Sequence, residues 1–244
     1  KNSRTVALLL GATALVAGPS HVSALDGNGT LRVNTTNGWL AFEVISEGDN
    51  VPGDGSNHSM PGIFDGAGAY SLDADTIRIV TNHETGDASV SEVDVSRVDL
   101  QTAISNMITN GDLGGQTFVL AARQAYGRWS DDGGASWSTT NSTGSTNFYR
   151  FCSGQGYEAN TFGPDRGFVD RIYITGEETS GGALFALDLA NRDFYQLSGV
   201  TGDAPGGNGG IRFDAWENAA LVDTGETDHV ALLLSPDGGS QTLQ

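Results

Sequence analysis

RGFVDRIYITGEE (residues 166–178) and GALFALDLANRDFYQL (182–197) are apolar runs broken by turn residues. They read as successive strands joined by Thr179-Ser180-Gly181-Gly182, the second folding back through Ala190-Asn191-Arg192-Asp193 onto DFYQL. Aromatic and β-branched side chains suit a pleated, half-buried surface, and Gly, Asn and Asp supply the turns. Hairpins in quick succession are the texture of propeller blades. The first strand ends in two acids, Glu177 and Glu178. On a strand their side chains face opposite ways, so one of them reaches any common site.

The same rhythm extends outward. Downstream, DAWENAA (214–220) and LVDTGETDHVALLLSPDGG (221–239) place Glu217 beside Asn218 in a further hairpin. Upstream, FCSG (151–154) holds the single cysteine, Cys152. SLDADTIRIVTNHET (71–85) puts a short apolar run, Thr76–Thr81, directly before Asn82-His83-Glu84. SVSEVDVSRVDLQTAISNMITN (89–110) alternates as a strand and then turns helical over about 97–108. GWLAFEVISEGD (38–49) reads as a strand, and residues 48–69 read as a long Gly/Asp/Asn/Pro loop. The expected fold is all-β, a β-propeller without a strict sequence repeat. At roughly 40–45 residues per blade, about 220 residues make only about five blades. The chain stops at Gln244 in what reads as mid-hairpin, so the propeller is expected to be incomplete in this chain.

Composition narrows the function classes. The 244 residues include 35 glycines, 12 Lys+Arg and 30 Asp+Glu, for a net charge of −18. Residues 1–24 have the form of a signal peptide: Lys1 and Arg4, then the apolar run 6–18, then the small-residue site Val22-Ser23-Ala24. The expected mature domain is 25–244, secreted to the periplasm or the exterior. It would contain no lysine and carry a charge of −20. That charge disfavours nucleic acid, which needs a cationic face. It suits a saline exterior or bound calcium, and solubility alone would also account for it. One cysteine leaves no internal disulfide, and a lone thiol is buried, pairs with another chain or binds something.

Carboxylates and a thiolate converging on one place would repel one another unless a cation sat between them. Asn82-His83-Glu84, Cys152, Glu177-Glu178 and Glu217-Asn218 each lie at the edge of an apolar run. Calcium takes several oxygen ligands, and iron or zinc can take the thiolate as well. Each acid taken singly also reads as a solvent-facing strand end, and His83 as a hydrogen-bonded histidine.

Two resemblances bear on this. Ser130-Asp131-Asp132-Gly133-Gly134-Ala135-Ser136-Trp137 fits S-x-D-x-G-x-x-W and resembles the Asp-box turns of sialidase-like propellers, where the motif is structural. TNHE (81–84), FCSG (151–154), ITGEE (174–178) and the Arg212–Ala220 stretch resemble, in order and local style, the PhoX-type alkaline phosphatases over about 70–235. That resemblance implies a secreted propeller hydrolysing phosphate monoesters at an iron and calcium centre. Cys152 would then ligate iron, Glu177, Glu178 and Glu217 iron or calcium, and Glu84 calcium. Arg212 would steady the phosphate of a phosphorylated small molecule. Trp216 stands where that family has histidine. Two other classes fit the residues. One is a non-catalytic, calcium-binding extracellular module. The other is a sialidase-like glycosidase using Tyr157 with Glu158, or Tyr173.

Overall fold

A computed structural model describes residues 42–139, 142–143, 146–179, 181–198 and 215–236. The signal-peptide segment 1–24 and Arg212 lie outside the described residues. The chain divides into two units. Among the described residues the first takes 42–64, 70–79 and 92–123, and the second takes 65–69, 80–91 and 124 onward.

The early strands are β1 (Asn50–Pro52), β2 (Asn57–Ser59), β3 (Phe64–Ser71), β4 (Thr76–His83), β5 (Ser89–Ser96) and β6 (Val119–Gln124). β1 and β2 form a hairpin, and the next four lie in the order β3-β4-β5-β6. The stretch 48–69, expected to be a loop, therefore holds two short strands and the start of a third. Residues 42–49, expected to be strand, are irregular. Asp49 explains this: its carboxylate accepts the Ser46 N–H at 2.9 Å, closing a turn. Val44 and Ile45 are both buried, so the segment is covered on both sides.

α1 (Arg97–Asn110) follows β5 directly, as the sequence pattern predicts. Ser96 caps it by accepting the Asp99 N–H, and Gly111 ends it at φ 82°, its N–H donating to Met107 O. Ala103 and Met107 face the first unit's core with Phe42, Val51, Met60 and Phe118.

The later strands are β7 (Arg128–Ser130), β8 (Ser142–Thr143), β9 (Thr146–Asn147), β10 (Phe151–Tyr157), β11 (Ile172–Glu177), β12 (Leu184–Asp188), β13 (Asp193–Gln196), β14 (Trp216–Val222) and β15 (Ala231–Pro236). β10 to β13 make an antiparallel meander, with β7 added in parallel against β13. β8 pairs with β9, and β14 with β15. Arg192, at φ 60°, makes the β12–β13 turn where the sequence places it. Phe148, Phe151, Phe185 and Phe194 are fully buried in one ring cluster, which fixes the inner face of the meander.

The Asp box is built as a turn after β7. Asp132 accepts the Ser136 N–H at 2.8 Å and its O–H at 2.6 Å, and Trp137 packs edge-on against Tyr195. Four-stranded meanders are the unit of a propeller blade. The fold is mostly β, and among the described residues the strands form separate sheets and no closed propeller.

Candidate metal centre

β10 and β11 set the first part of the site. Phe151 pairs with Glu177 and Cys152 with Gly176, and beyond the strand end the Glu178 N–H donates to Arg150 O at 2.8 Å. Alternation then places Cys152 and Glu178 on one face and Phe151 and Glu177 on the other, and Arg150, at φ 50°, reaches Glu178 through its side chain. Phe151 turns into the ring cluster, and the Cys152 face is covered in turn by Trp216 over Gly176. A β-bulge lies between Cys152 and Gly154, with Ser153 at φ 58°. Such a bulge bends the strand and re-aims the side chains beside it.

β3 approaches β10 through paired glycines. A Cβ on Gly66 would fall inside contact distance of Gly154 N, and one on Gly68 would lie 2.9 Å from Gly156 N. Only glycine permits this separation. The approach carries Asp65 to Cys152, whose thiol donates to Asp65 Oδ2 at 3.1 Å. Beneath it, the Tyr173 hydroxyl reaches Asn82 Oδ1 at 2.6 Å and Gly66 O at 2.9 Å, and Asn82 Nδ2 donates to Phe151 O. That buried knot ties β3, β4, β10 and β11 next to Asp65, Glu84 and Cys152.

β14 closes the other side. Gly176 has no side chain where Trp216 packs: a Cβ there would lie 2.5 Å from Trp216 Cβ. Trp216 is fully buried and donates its indole N–H to Gly182 O at 3.1 Å. The β14–β15 register shifts between Trp216 and Asn218, so Glu217 is the extra residue of a second bulge. The Tyr157 hydroxyl donates to Ala219 O at 2.6 Å and accepts the Leu221 N–H, fastening β14 to β10.

Two groups of ligand-type atoms result, Asp65–Glu84–Cys152 and Cys152–Glu178–Glu217, each with its atoms within 4.8 Å of one another. They share the Cys152 sulfur. Cys152 is buried, Asp65 is exposed and the three glutamates are half-buried. Burial pushes the thiol far above its ordinary value, and the Asp65 hydrogen bond and the charges of Asp65, Glu217 and Glu178 push the same way. Arg150 offsets part of the negative charge, donating from Nε and Nη2 to Glu84 and from Nη2 to Glu178 Oε2 at 2.8 Å. The donor set fits cations: carboxylates suit a hard ion, and a thiolate adds affinity for a softer one. A bound cation would invert the thiol's preference for its protonated form.

Of the residues singled out in the sequence, Glu84, Cys152, Glu178 and Glu217 are brought together. Glu177 belongs to neither group. Its two oxygens accept the Tyr149 and Ala183 N–H groups, each at 3.0 Å. His83 is fully buried and bonds Ser91 Oγ at 2.8 Å. Tyr157 and Tyr173 are buried, with their hydroxyls on Ala219 O and Asn82 Oδ1. Asp65 and Arg150 were missed. The signal for Asp65 was the pair of glycine patterns D-G-A-G (65–68) and S-G-Q-G (153–156), whose two-residue period marks strand faces in close approach.

No protein-family model, no curated protein and no solved structure matches this chain.

Proposed function

We propose that the chain is an exported, metal-dependent hydrolase of phosphate monoesters, using calcium and iron in the manner of the PhoX-type phosphatases its motifs resemble. The observation that carries this reading is the sharing of one buried sulfur between two carboxylate groups. Cys152, Glu178 and Glu217 would hold the softer ion, and Asp65 and Glu84 with Cys152 the harder one. A bound cation supplies positive charge where the phosphoryl oxygens gather negative charge in the transition state. The protein's own part is orientation. Arg150 fixes the Glu84 and Glu178 carboxylates, and the Tyr173–Asn82 knot fixes the backbone on either side of Cys152. The test is metal analysis of the purified protein together with p-nitrophenyl phosphate hydrolysis, with and without chelator. Bound metal and chelator-sensitive turnover support the reading, and a metal-loaded protein without turnover sinks it.

One observation favours a second reading, a non-catalytic calcium-binding module. Arg150 already pairs with Glu84 and Glu178, as in a self-contained structural network. Calcium would then raise the unfolding midpoint without any hydrolysis.

A further inference from the structure

We infer that Arg150 is the side chain that contacts the phosphoryl group of the substrate; this rests on the phosphate-monoester reading above. A dianionic ester entering a site of four carboxylates needs a cationic side chain as well as bound metal. The sequence has no lysine after Lys1, so that side chain is an arginine. Among the described residues most arginines are committed elsewhere. Arg78 and Arg123 pair with Glu92, Arg128 with Asp193, Arg166 with Asp223 and Arg171 with Glu158. Arg97 and Arg192 bond backbone carbonyls away from the candidate centre. Arg150 alone among them grips carboxylates of the two ligand groups, Glu84 of one and Glu178 of the other.

Its geometry suits the task. Nε and Nη2 are held by the glutamates, which fixes the plane of the guanidinium. No hydrogen bond engages Nη1 among the described residues, and 42% of the side chain is exposed. The guanidinium therefore keeps Nη1 for a ligand oxygen while its other nitrogens hold one glutamate from each ligand group. A planar fork matches phosphoryl oxygens, and orientation by carboxylates lowers the entropy lost on binding. The backbone at Arg150 is left-handed, at φ 50°, a conformation a non-glycine residue adopts at a cost and that gathers at functional sites.

The experiment uses the full chain loaded with calcium and iron, and compares wild type with Arg150→Met, Arg150→Lys and Arg212→Met. Metal content, circular dichroism, p-nitrophenyl phosphate kinetics and inhibition by inorganic phosphate are measured for each. Arg150→Met is expected to keep its metal and fold while KM and the phosphate inhibition constant rise about tenfold or more. Arg150→Lys keeps the charge without the fork and is expected to recover part of that loss. Unchanged KM and phosphate inhibition in Arg150→Met, or the same loss in Arg212→Met alone, overturns the inference while the hydrolase reading stands. Metal loss in both Arg150 variants also overturns it, since Arg150 would then only hold Glu84 and Glu178 in place. A metal-loaded wild type that neither hydrolyses the ester nor binds phosphate overturns the hydrolase reading itself, and the inference falls with it.

Discussion

The Cys152 thiol donates to Asp65 Oδ2 at 3.1 Å, joining residues 87 positions apart in the chain. Serine at 152 would keep an O–H donor for Asp65 but remove the sulfur that both ligand groups share. Cys152→Ser is therefore expected to fold while its affinity for a thiophilic ion such as cobalt(II) falls at least about tenfold. Cobalt titration followed in the near ultraviolet checks this, because the sulfur-to-metal absorption should vanish. Equal affinity in the two proteins would show that the thiol is only a packed core group.

Glu177 and Glu178 are adjacent and face opposite ways, so their variants should separate. Glu178→Gln is expected to weaken metal binding with little change in stability. Glu177→Gln sets an amide against the Tyr149 and Ala183 N–H donors, and is expected to cost about 1–3 kcal/mol with metal affinity unchanged. Urea unfolding and metal titration on the same samples make the comparison. Loss of metal in Glu177→Gln would place both acids in the centre.

The glycine approach and the tyrosine knot make a steric and a polar prediction for one region. Gly66→Ala would drive a methyl into the Gly154 backbone, and is expected to destabilise by about 1–3 kcal/mol or more. Tyr173→Phe leaves the ring in place and withdraws the hydroxyl from Asn82 and Gly66. It is expected to cost about 1–3 kcal/mol. A Gly66→Ala protein as stable as wild type would mean that β3 does not lie this close to β10.

Asp132 gives a pH dependence away from the candidate metal centre. Hydrogen bonds from the Ser136 hydroxyl, the Ser136 N–H and Ser130 hold its carboxyl at about 2, below the ordinary 3.8. The folded state thus favours the ionised form. The resulting stabilisation is fully present above the unfolded value near 3.8 and is lost as pH falls through about 2. The stability difference between wild type and Asp132→Asn is expected to be flat at neutral pH and to shrink over that acid range. Thermal melts at a series of pH values report it, and a pH-independent difference would refute the assignment.

Legibility in the sequence followed the range of the interaction. The strand before Asn82-His83-Glu84, the helix near 97–108, the hairpins after Glu178 and the Asp-box turn were readable from neighbours a few residues apart. Each rests on side-chain period, a cap or a turn residue, and each is present. The 48–69 stretch was misread as loop. Its Gly and Asp residues signal turns locally, and Gly48 and Gly55 adopt the left-handed φ of turns, yet Gly66 and Gly68 serve close strand contact.

For the centre, residue type and strand position sufficed to single out Glu84, Cys152, Glu178 and Glu217. They could not decide between Glu177 and Glu178 or reveal Asp65 and Arg150. Which of these side chains lie near the Cys152 sulfur depends on the β10–β11 register, the glycine contact of β3 with β10, and the bulges at Ser153 and Glu217. A one-residue bulge at a serine or glutamate has no local signature, yet it redirects the neighbouring side chains. By itself the sequence determined a turn-rich β chain whose acids and single thiol sit at strand edges. Only the tertiary structure decided which of them converge, because convergence depends on how closely distant strands can pack.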